Sequence, residues 1–200
     1  MIAGLRRNEV LWECLRRIAT LALPGWYVGA GCIAQTIWNI AHGERTTAHI
    51  EDHDVVYFDP DLAEAAEAGV AARVCRLLRD LPVRPDVKNQ ARVHLWYERR
   101  FGSRIRAYDS CEDAIATWPT TATALGVRLL DDGLAVHAPF GLDDLLALVV
   151  RPNRVQITPE IYRAKVERWI ERWPLLEVLA WEQGVGSPGS RLVAGAGGEA

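Results

Sequence analysis

Apolar positions in the first third of the chain alternate between a helical and a strand period. Residues 8–22 carry an apolar face between charged positions, which predicts an amphipathic helix ended by a Pro-Gly pair. Residues 26–28 form a short apolar run that predicts a buried strand, and residues 32–41 predict a helix packed on a sheet. Residues 53–58 are β-branched and aromatic, and this composition predicts a second strand.

The middle of the chain continues the alternation of helix and strand. An apolar stripe that ends at about Asp80 predicts a helix, which Asp59 or Asp61 can cap and which has Pro60 near its first turn. Residues 82–89 predict a third strand, restricted by two prolines to an edge or to its later half. Residues 89–101 predict a further helix, and residues 110–118 a short one.

A hairpin and two helices are predicted in the remaining part of the chain. Residues 122–129 and 134–138 alternate in polarity around Asp131-Asp132-Gly133, which predicts a hairpin. Residues 141–150 predict a short helix, and residues 158–173 predict an amphipathic helix that begins at a Thr-Pro pair. The order of elements predicts an α/β or α+β domain with a small mixed sheet flanked by helices.

Length and composition place these elements in one domain. The 200 residues are 50% hydrophobic, which is enough for a sizeable core. We expect a single domain over residues 1–181, with a core at about 8–110 and a hairpin and helical part at about 111–181. Residues 182–200 are rich in Gly, Ser and Ala, and they predict a disordered tail.

Charge and cysteine content exclude several classes of protein. A formal net charge of −3 and a pI near 6.0 argue against a dedicated duplex-binding protein, although a local basic patch stays possible. No apolar run is long enough for a membrane span, and charges interrupt the N-terminal apolar residues, so export is not expected. The cysteines are scattered without a CxxC pair, which favours reduced thiols in a cytoplasmic protein: Cys14, Cys32, Cys75 and Cys111.

Asp52 and Asp54 are the candidate metal ligands. Acids at i and i+2 on a strand point to the same face and can share a cation. The alternative is a solvated strand start, because turns are rich in aspartate.

The small-residue turn Gly29-Ala30-Gly31 is the candidate phosphate site. It stands between a predicted strand and a predicted helix, where backbone N–H groups can approach a phosphate. Helix–sheet packing without any ligand would demand the same small residues.

Basic side chains form two further candidates. Lys88 and Arg92 would share a helix face at i, i+4 and could bind phosphate or an acidic acceptor; if Lys88 belongs to the preceding strand, that alignment fails. A second basic stretch could meet nucleic acid such as tRNA or could be solvated surface: Arg99, Arg100, Arg104 and Arg106.

Several stretches resemble the nucleotidyltransferase superfamily of the DNA polymerase β type. Its signature is a hydrophobic residue, Gly, then Gly or Ser, followed downstream by Asp-x-Asp/Glu in a strand. More narrowly, the chain is similar to a bacterial family of nucleotidyltransferase-like proteins. The stretches that carry this similarity are VGAGCIAQTIWNIAHG, DHDVVYFD, VKNQARVHLWYERRFG, CEDAIATWPTTATALGVRL and HAPFGLDDLLALVVRPN.

The resemblance implies a nucleotidyltransferase-like fold and a Mg²⁺-dependent reaction. Asp52 and Asp54 would hold one or two Mg²⁺ ions, and Asp86 would be the third carboxylate, as a ligand or as a base. Backbone N–H groups around residues 29–31 would hold the phosphates of an NTP. The nucleoside monophosphate would pass to a hydroxyl of a small molecule, a protein or an RNA end, with release of pyrophosphate.

A second hypothesis is a protein of this fold without turnover. Ala30 stands where the superfamily has Gly or Ser, or Cys32 does in a shifted register, so the serine hydroxyl is missing. Pro85 makes the third strand irregular next to Asp86. Such a protein would serve as a binding or regulatory subunit, for example in a toxin–antitoxin pair.

Overall fold

The computed structural model describes residues 1–131 and 133–186. Within them, eight α-helices lie at the following positions: α1 Ile2–Arg6, α2 Glu9–Ala19, α3 Gly31–Ala41, α4 Glu64–Leu77, α5 Val93–Phe101, α6 Cys111–Ile115, α7 Asp143–Leu146 and α8 Pro159–Arg172. One-turn 3₁₀ helices lie at Gln90–Arg92 and Trp181–Gln183. No helix in this described part of the chain is long and apolar enough to cross a membrane.

Five strands form one mixed sheet in the order β3-β2-β1-β4-β5. Their bounds are β1 Tyr27–Gly29, β2 His53–Tyr57, β3 Pro85–Asn89, β4 Gly126–Leu130 and β5 Gly133–His137. Strands β2 and β3 run parallel and are joined by a crossover through α4, whereas the other neighbours are antiparallel. The predicted small mixed sheet flanked by helices is therefore confirmed. A separate parallel pair consists of β6 Val149–Val150 and β7 Glu177–Val178.

The helices form where the sequence supplies both a cap and an apolar face. The Asn8 side chain accepts a hydrogen bond from the Leu11 N–H and caps α2, and Thr158 caps α8 in the same way through Ile161. In α2, the residues on the apolar face are fully buried, among them Leu11, Leu15 and Ile18. These caps and apolar faces explain why α2 and α8 form where the periodicity of the sequence predicts helices.

The two faces of β2 separate the core from the candidate site. His53, Val55 and Tyr57 are buried on one face, and Val55 and Tyr57 belong to the main hydrophobic cluster. Asp54 and Val56 point to the other face and line a cavity. The alternation of the strand therefore places one acid outside the core while its neighbours hold the sheet together.

Helix α8 is attached to the rest of the domain by a cluster of tryptophans. The Trp38 ring of α3 packs edge-on against Trp169 and Trp173, with centroid distances of 5.2 and 5.3 Å. The Trp173 indole N–H donates a 2.7 Å hydrogen bond to the Asn39 side-chain oxygen. Trp38 and Trp173 are fully buried. This cluster fixes the position of α8 over the end of α3.

Several predicted boundaries shift in the structure. The strand predicted from residue 122 begins at Gly126, because residues 121–125 form a turn and a short irregular segment. The helix predicted over 141–150 is only α7, since Leu148 takes a left-handed conformation (φ +61°) and the chain then enters β6. Helix α1 was not predicted.

The predicted hairpin and the predicted tail each lie partly outside the described residues. Strands β4 and β5 pair antiparallel as expected, whereas Asp132 of the turn is outside the described part. Of the tail predicted over 182–200, only residues 182–186 are described. There the Val185 carbonyl accepts a hydrogen bond from the Arg154 N–H, and the Val185 N–H donates to the Pro152 carbonyl.

Candidate active site

The register of the sheet brings three sequence-predicted residues into one row. Asp54 of β2 is paired with Asp86 of β3 on one side and with Gly29 of β1 on the other. Asp52 lies just before β2, two residues from Asp54, so its side chain leaves the same face. The three candidate carboxylates and the glycine turn therefore lie together at one end of strands β1, β2 and β3.

Two of the three carboxylates are engaged by cations. Asp52 accepts a hydrogen bond of 3.2 Å from Arg84, and Asp86 forms an ion pair of 2.5 Å with Lys88. Within residues 1–131 and 133–186, no three or more His, Cys, Asp or Glu side chains are arranged around a common point that would hold a metal ion. The backbone aligns the acids, but the side chains of Asp52 and Asp86 are directed to these cations.

Asp54 is the acid with the most unusual environment. Burial, together with the negative charges of Asp52 and Asp86, raises the pKa of its carboxyl to about 7, against the opposing effect of Lys165 and Lys88. A carboxyl with this pKa is only partly ionised at neutral pH. An added cation at this position would favour the ionised form.

This environment gives a prediction for stability and pH. Since the folded pKa of about 7 exceeds the ordinary value of 3.8, the folded state keeps a proton that the unfolded state loses between these values, and stability falls as pH rises through that window. Asp54→Asn removes the charge, so without divalent cations it should raise the midpoint of thermal unfolding at pH 8 by about 2–8 °C, or about 1–2 kcal/mol. At pH 5 the change should be smaller, because only part of the window between 3.8 and about 7 has then been crossed. Equal shifts at both pH values, measured by thermal melts, would contradict the assignment.

The glycine turn has a structural role at its first position. A Cβ at Gly29 would stand 2.7 Å from both the Leu125 carbonyl oxygen and the Trp118 ring, so this position must be glycine for packing. Ala30 has a positive φ of +52°, and its N–H donates to the Leu125 carbonyl at 3.0 Å. Of the predicted phosphate-binding N–H groups, the one of Ala30 is therefore already used. Gly31 begins α3, whose first-turn N–H groups are the donors left for a phosphate.

Of the two alternatives for Lys88, the structure shows the strand, so Lys88 and Arg92 do not share a helix face. Lys88 belongs to β3, because the backbone stays extended as far as Asn89, so the two residues are not one helical turn apart. Arg92 is buried, forms an ion pair of 3.1 Å with Glu67 and donates to the Leu62 carbonyl, which ties α4 to the end of β3. Lys88 lies beside Asp86 at the site.

Helix α8 adds cations that sequence reasoning missed. Lys165, Arg168 and Arg172 line the same cavity as Asp52 and Asp54. Burial lowers the pKa of Lys165, although the neighbouring Asp54 acts in the opposite direction. Arg172 forms an ion pair of 2.7 Å with Glu51. The spacing of these cations places them on one helix face, which was the available sequence signal, but nothing in the sequence indicated what that face meets.

Two cavities meet at Asp54. The smaller, of about 160 Å³, is lined by Asp52, Gly31 and the three cations of α8. The larger, of about 560 Å³, has Asp54, Asp86 and Lys88 on one side and aromatic residues of α5 on another. Lys165 and Arg168 border both cavities. The smaller cavity can hold a charged group and the larger cavity a planar group, with the carboxylates between them.

Comparisons with known proteins identify the family and the fold of this chain. A family model described as nucleotidyltransferase matches residues 16–178. A solved structure, described as an NMR structure that reveals a CCA-adding enzyme head domain, is similar with a TM-score of 0.71 and 26% sequence identity, covering 89% of this chain and 93% of the other. A comparison with curated proteins finds no significant match. The resemblance inferred from the sequence is confirmed, and this chain belongs to the nucleotidyltransferase family.

Proposed function

We propose that this protein transfers a nucleoside monophosphate from an NTP to a hydroxyl acceptor and releases pyrophosphate. The family and the fold support nucleotidyl transfer. The single observation that carries the proposal is the strand register that sets Asp54 beside Asp86 and opposite Gly29, with Asp52 leaving the same face. The cations of α8 border the same space and match the charge of a polyphosphate.

The acids fit Mg²⁺ by their chemistry. Mg²⁺ prefers oxygen ligands, and the candidate set offers only carboxylate oxygens. Burial and the neighbouring charges of Asp52 and Asp86 raise the pKa of Asp54, and a divalent cation bound there would favour its ionised form. The side chains of Asp52 and Asp86 are 44% and 47% exposed, so each can leave its ion pair with Arg84 or Lys88. One or two ions would be held by Asp52, Asp54 and Asp86.

The residues of the site have separate tasks in this reaction. Bound Mg²⁺ would supply charge neutralisation at the phosphates and would lower the pKa of the acceptor hydroxyl. The hydroxyl oxygen forms a bond to the α-phosphorus, the bond from that phosphorus to the oxygen bridging to the β-phosphate breaks, and pyrophosphate leaves with the electron pair. Asp86, as a ligand of the acceptor-side metal or as a base, would assist the loss of the hydroxyl proton. Lys165 and Arg168 offset the charge of the departing pyrophosphate.

A second candidate function is a binding protein of the same fold without turnover. The observation that favours it is that several groups of the site are already bound to other groups of the protein. Asp52 and Asp86 are paired with cations, and the Ala30 N–H donates to a carbonyl. On this hypothesis the protein binds NTP but transfers nothing.

Transfer of label from NTPs that are radiolabelled on the α-phosphate tests the proposal. Each NTP is incubated with Mg²⁺ and, in separate reactions, with glycerol, with a single-stranded oligonucleotide or with the protein alone. Asp54→Asn should lower transfer by about a hundredfold or more, because the acid between the other two is lost. The matched control is Asp143→Asn, an exposed carboxylate in the first turn of α7.

The two functions give different results in this experiment. Transfer that depends on Asp54 and survives Asp143→Asn supports the transferase. NTP binding detected by a thermal shift, without transfer to any of these acceptors, supports the binding protein. Transfer that is unchanged in Asp54→Asn contradicts the assignment of the acids.

A further inference from the structure

The cavity at Asp54 continues past α5 to the outside of the domain. The larger cavity shares Lys88, Trp96 and Arg100 with a third cavity of about 460 Å³ on the outer side of α5. The three cavities thus follow one another from the first turn of α3, past Asp54, to Arg99 on α5. We call the larger and the outer cavity together the α5 groove. Its length beyond Asp54 leaves room for more than the nucleotide that reacts.

Aromatic side chains line the part of the groove nearest to the acids. They come from α5 and from the segments that face it: Trp96, Tyr97, Phe101, Tyr108 and Trp118. Phe101 is 40% exposed, and Trp96 is partly exposed where the two cavities join. Trp96 at the passage between the cavities and Phe101 inside the larger one therefore offer stacking surfaces for planar groups, whereas Tyr97 and Tyr108 are buried.

The outer part of the groove is cationic. It is bordered by four cationic side chains (Lys88, Arg92, Arg99 and Arg100) and by two carboxylates (Glu64 and Glu67). Arg92 is paired with Glu67 and Lys88 with Asp86, whereas among the described residues Arg99 and Arg100 are in no ion pair, so these two cations can meet a ligand there. The Arg100 guanidinium also lies 5.5 Å from the centre of the Phe101 ring.

The rest of the basic stretch does not contribute to the groove. Arg104 is paired with Glu98, and Arg106 with Asp113. Neither borders any of the three cavities. The positive charge that faces the groove is therefore local, in a chain whose net charge is −3.

We propose that the α5 groove binds the end of a single-stranded nucleic acid, which is the acceptor in the proposed reaction. The terminal hydroxyl lies at Asp54 and Asp86, the terminal bases stack on Trp96 and its aromatic neighbours, and the preceding phosphates lie along Arg99 and Arg100. Alternating aromatic and cationic contacts are what a flexible strand with exposed bases requires. A duplex keeps its bases stacked inside and would leave these rings without a partner. This inference rests on the proposed function for the role of the bound end.

Fluorescence anisotropy with labelled single-stranded RNA and DNA oligonucleotides, without divalent cations or NTP, tests the groove. Trp96→Ala should weaken binding about tenfold or more, whereas Trp96→Phe should retain most of it because the ring remains. Replacing Arg99 and Arg100 together by glutamine should weaken binding and reduce its dependence on salt. Arg104→Gln is the matched control, a cation of the same stretch outside the groove, and it should bind as wild type. Thermal melts check that each variant is folded.

The outcomes separate the groove from the reaction. No oligonucleotide binding, equal binding by all variants, or a preference for duplex would overturn the proposal. Label transfer to glycerol without oligonucleotide binding would also overturn it and would leave nucleotidyl transfer standing. Label transfer to the oligonucleotide that Trp96→Ala impairs and Arg104→Gln does not would support both. Oligonucleotide binding that needs Trp96, without label transfer to any acceptor, would support the groove as a nucleic-acid site and overturn the transfer reaction.

Discussion

Gly29→Ala is expected to lower the free energy of unfolding by about 3 kcal/mol or more. Gly29 ends β1 in the middle of the sheet, between Asp54 and Gly126. A methyl group there would meet the Leu125 carbonyl oxygen and the Trp118 ring, each at 2.7 Å, and a backbone carbonyl in a sheet cannot move aside. Urea denaturation measures the change.

Gly69→Ala is the matched control for this substitution. Gly69 lies inside α4, and a Cβ there meets nothing within 4 Å. Alanine at that position should leave stability unchanged or raise it by about 0.5–1 kcal/mol, because alanine favours helix over glycine. If Gly29→Ala were as stable as Gly69→Ala, the proposed contact with Leu125 and Trp118 would be wrong.

Trp173→Ala should lower the free energy of unfolding by about 3–5 kcal/mol. Trp173 is fully buried, packs against Trp38, and donates a hydrogen bond to Asn39. Removing the ring leaves a cavity where α8 meets α3, and it leaves the Asn39 oxygen without that donor. Chemical denaturation followed by circular dichroism reports the loss.

Trp173→Phe separates the two contributions. Phenylalanine keeps a ring against Trp38 but cannot donate to Asn39, so its cost should be clearly smaller than that of alanine. If the two variants were equally unstable, the hydrogen bond rather than packing would dominate. If neither were destabilised, α8 would not depend on this cluster.

The sequence predicted the parts of the fold that depend on local pattern. The apolar and β-branched residues after Asp54 fix β2, and the alternation of that strand alone places Asp52 and Asp54 on one face. The caps at Asn8 and Thr158 marked the starts of α2 and α8. These features depend on neighbours in sequence, which is why a single sequence reveals them.

The register between β2 and β3 could not be predicted from the sequence pattern. Asp86 lies beside Asp54 because α4 returns the chain to a parallel strand in one particular register. Sequence pattern allowed that register but could not choose it, since a slip of one residue would have turned Asp86 to the other face. The family resemblance, rather than periodicity, suggested Asp86.

Side chains whose role depends on tertiary contacts were misjudged or missed. Arg92 looks like a ligand in the sequence, but the structure uses it to hold Glu67. Gly29 looks like a phosphate turn, but Trp118 covers it. Lys165 was not predicted as a site residue, because the acids near it in the structure are remote in sequence. In the sequence, the clearest feature of its helix was the apolar stripe.

The attachment of α8 has a consequence for how the protein folds. The ion pair from Arg172 to Glu51 joins positions 121 residues apart, and the hydrogen bond from Trp173 to Asn39 spans 134. Contacts of such separation form slowly, because a long segment of chain must be closed before they contribute. Until then Asp54 lacks the neighbouring charge of Lys165. Formation of the nucleotide site therefore depends on the docking of α8. During refolding, ligand binding should recover later than helical content.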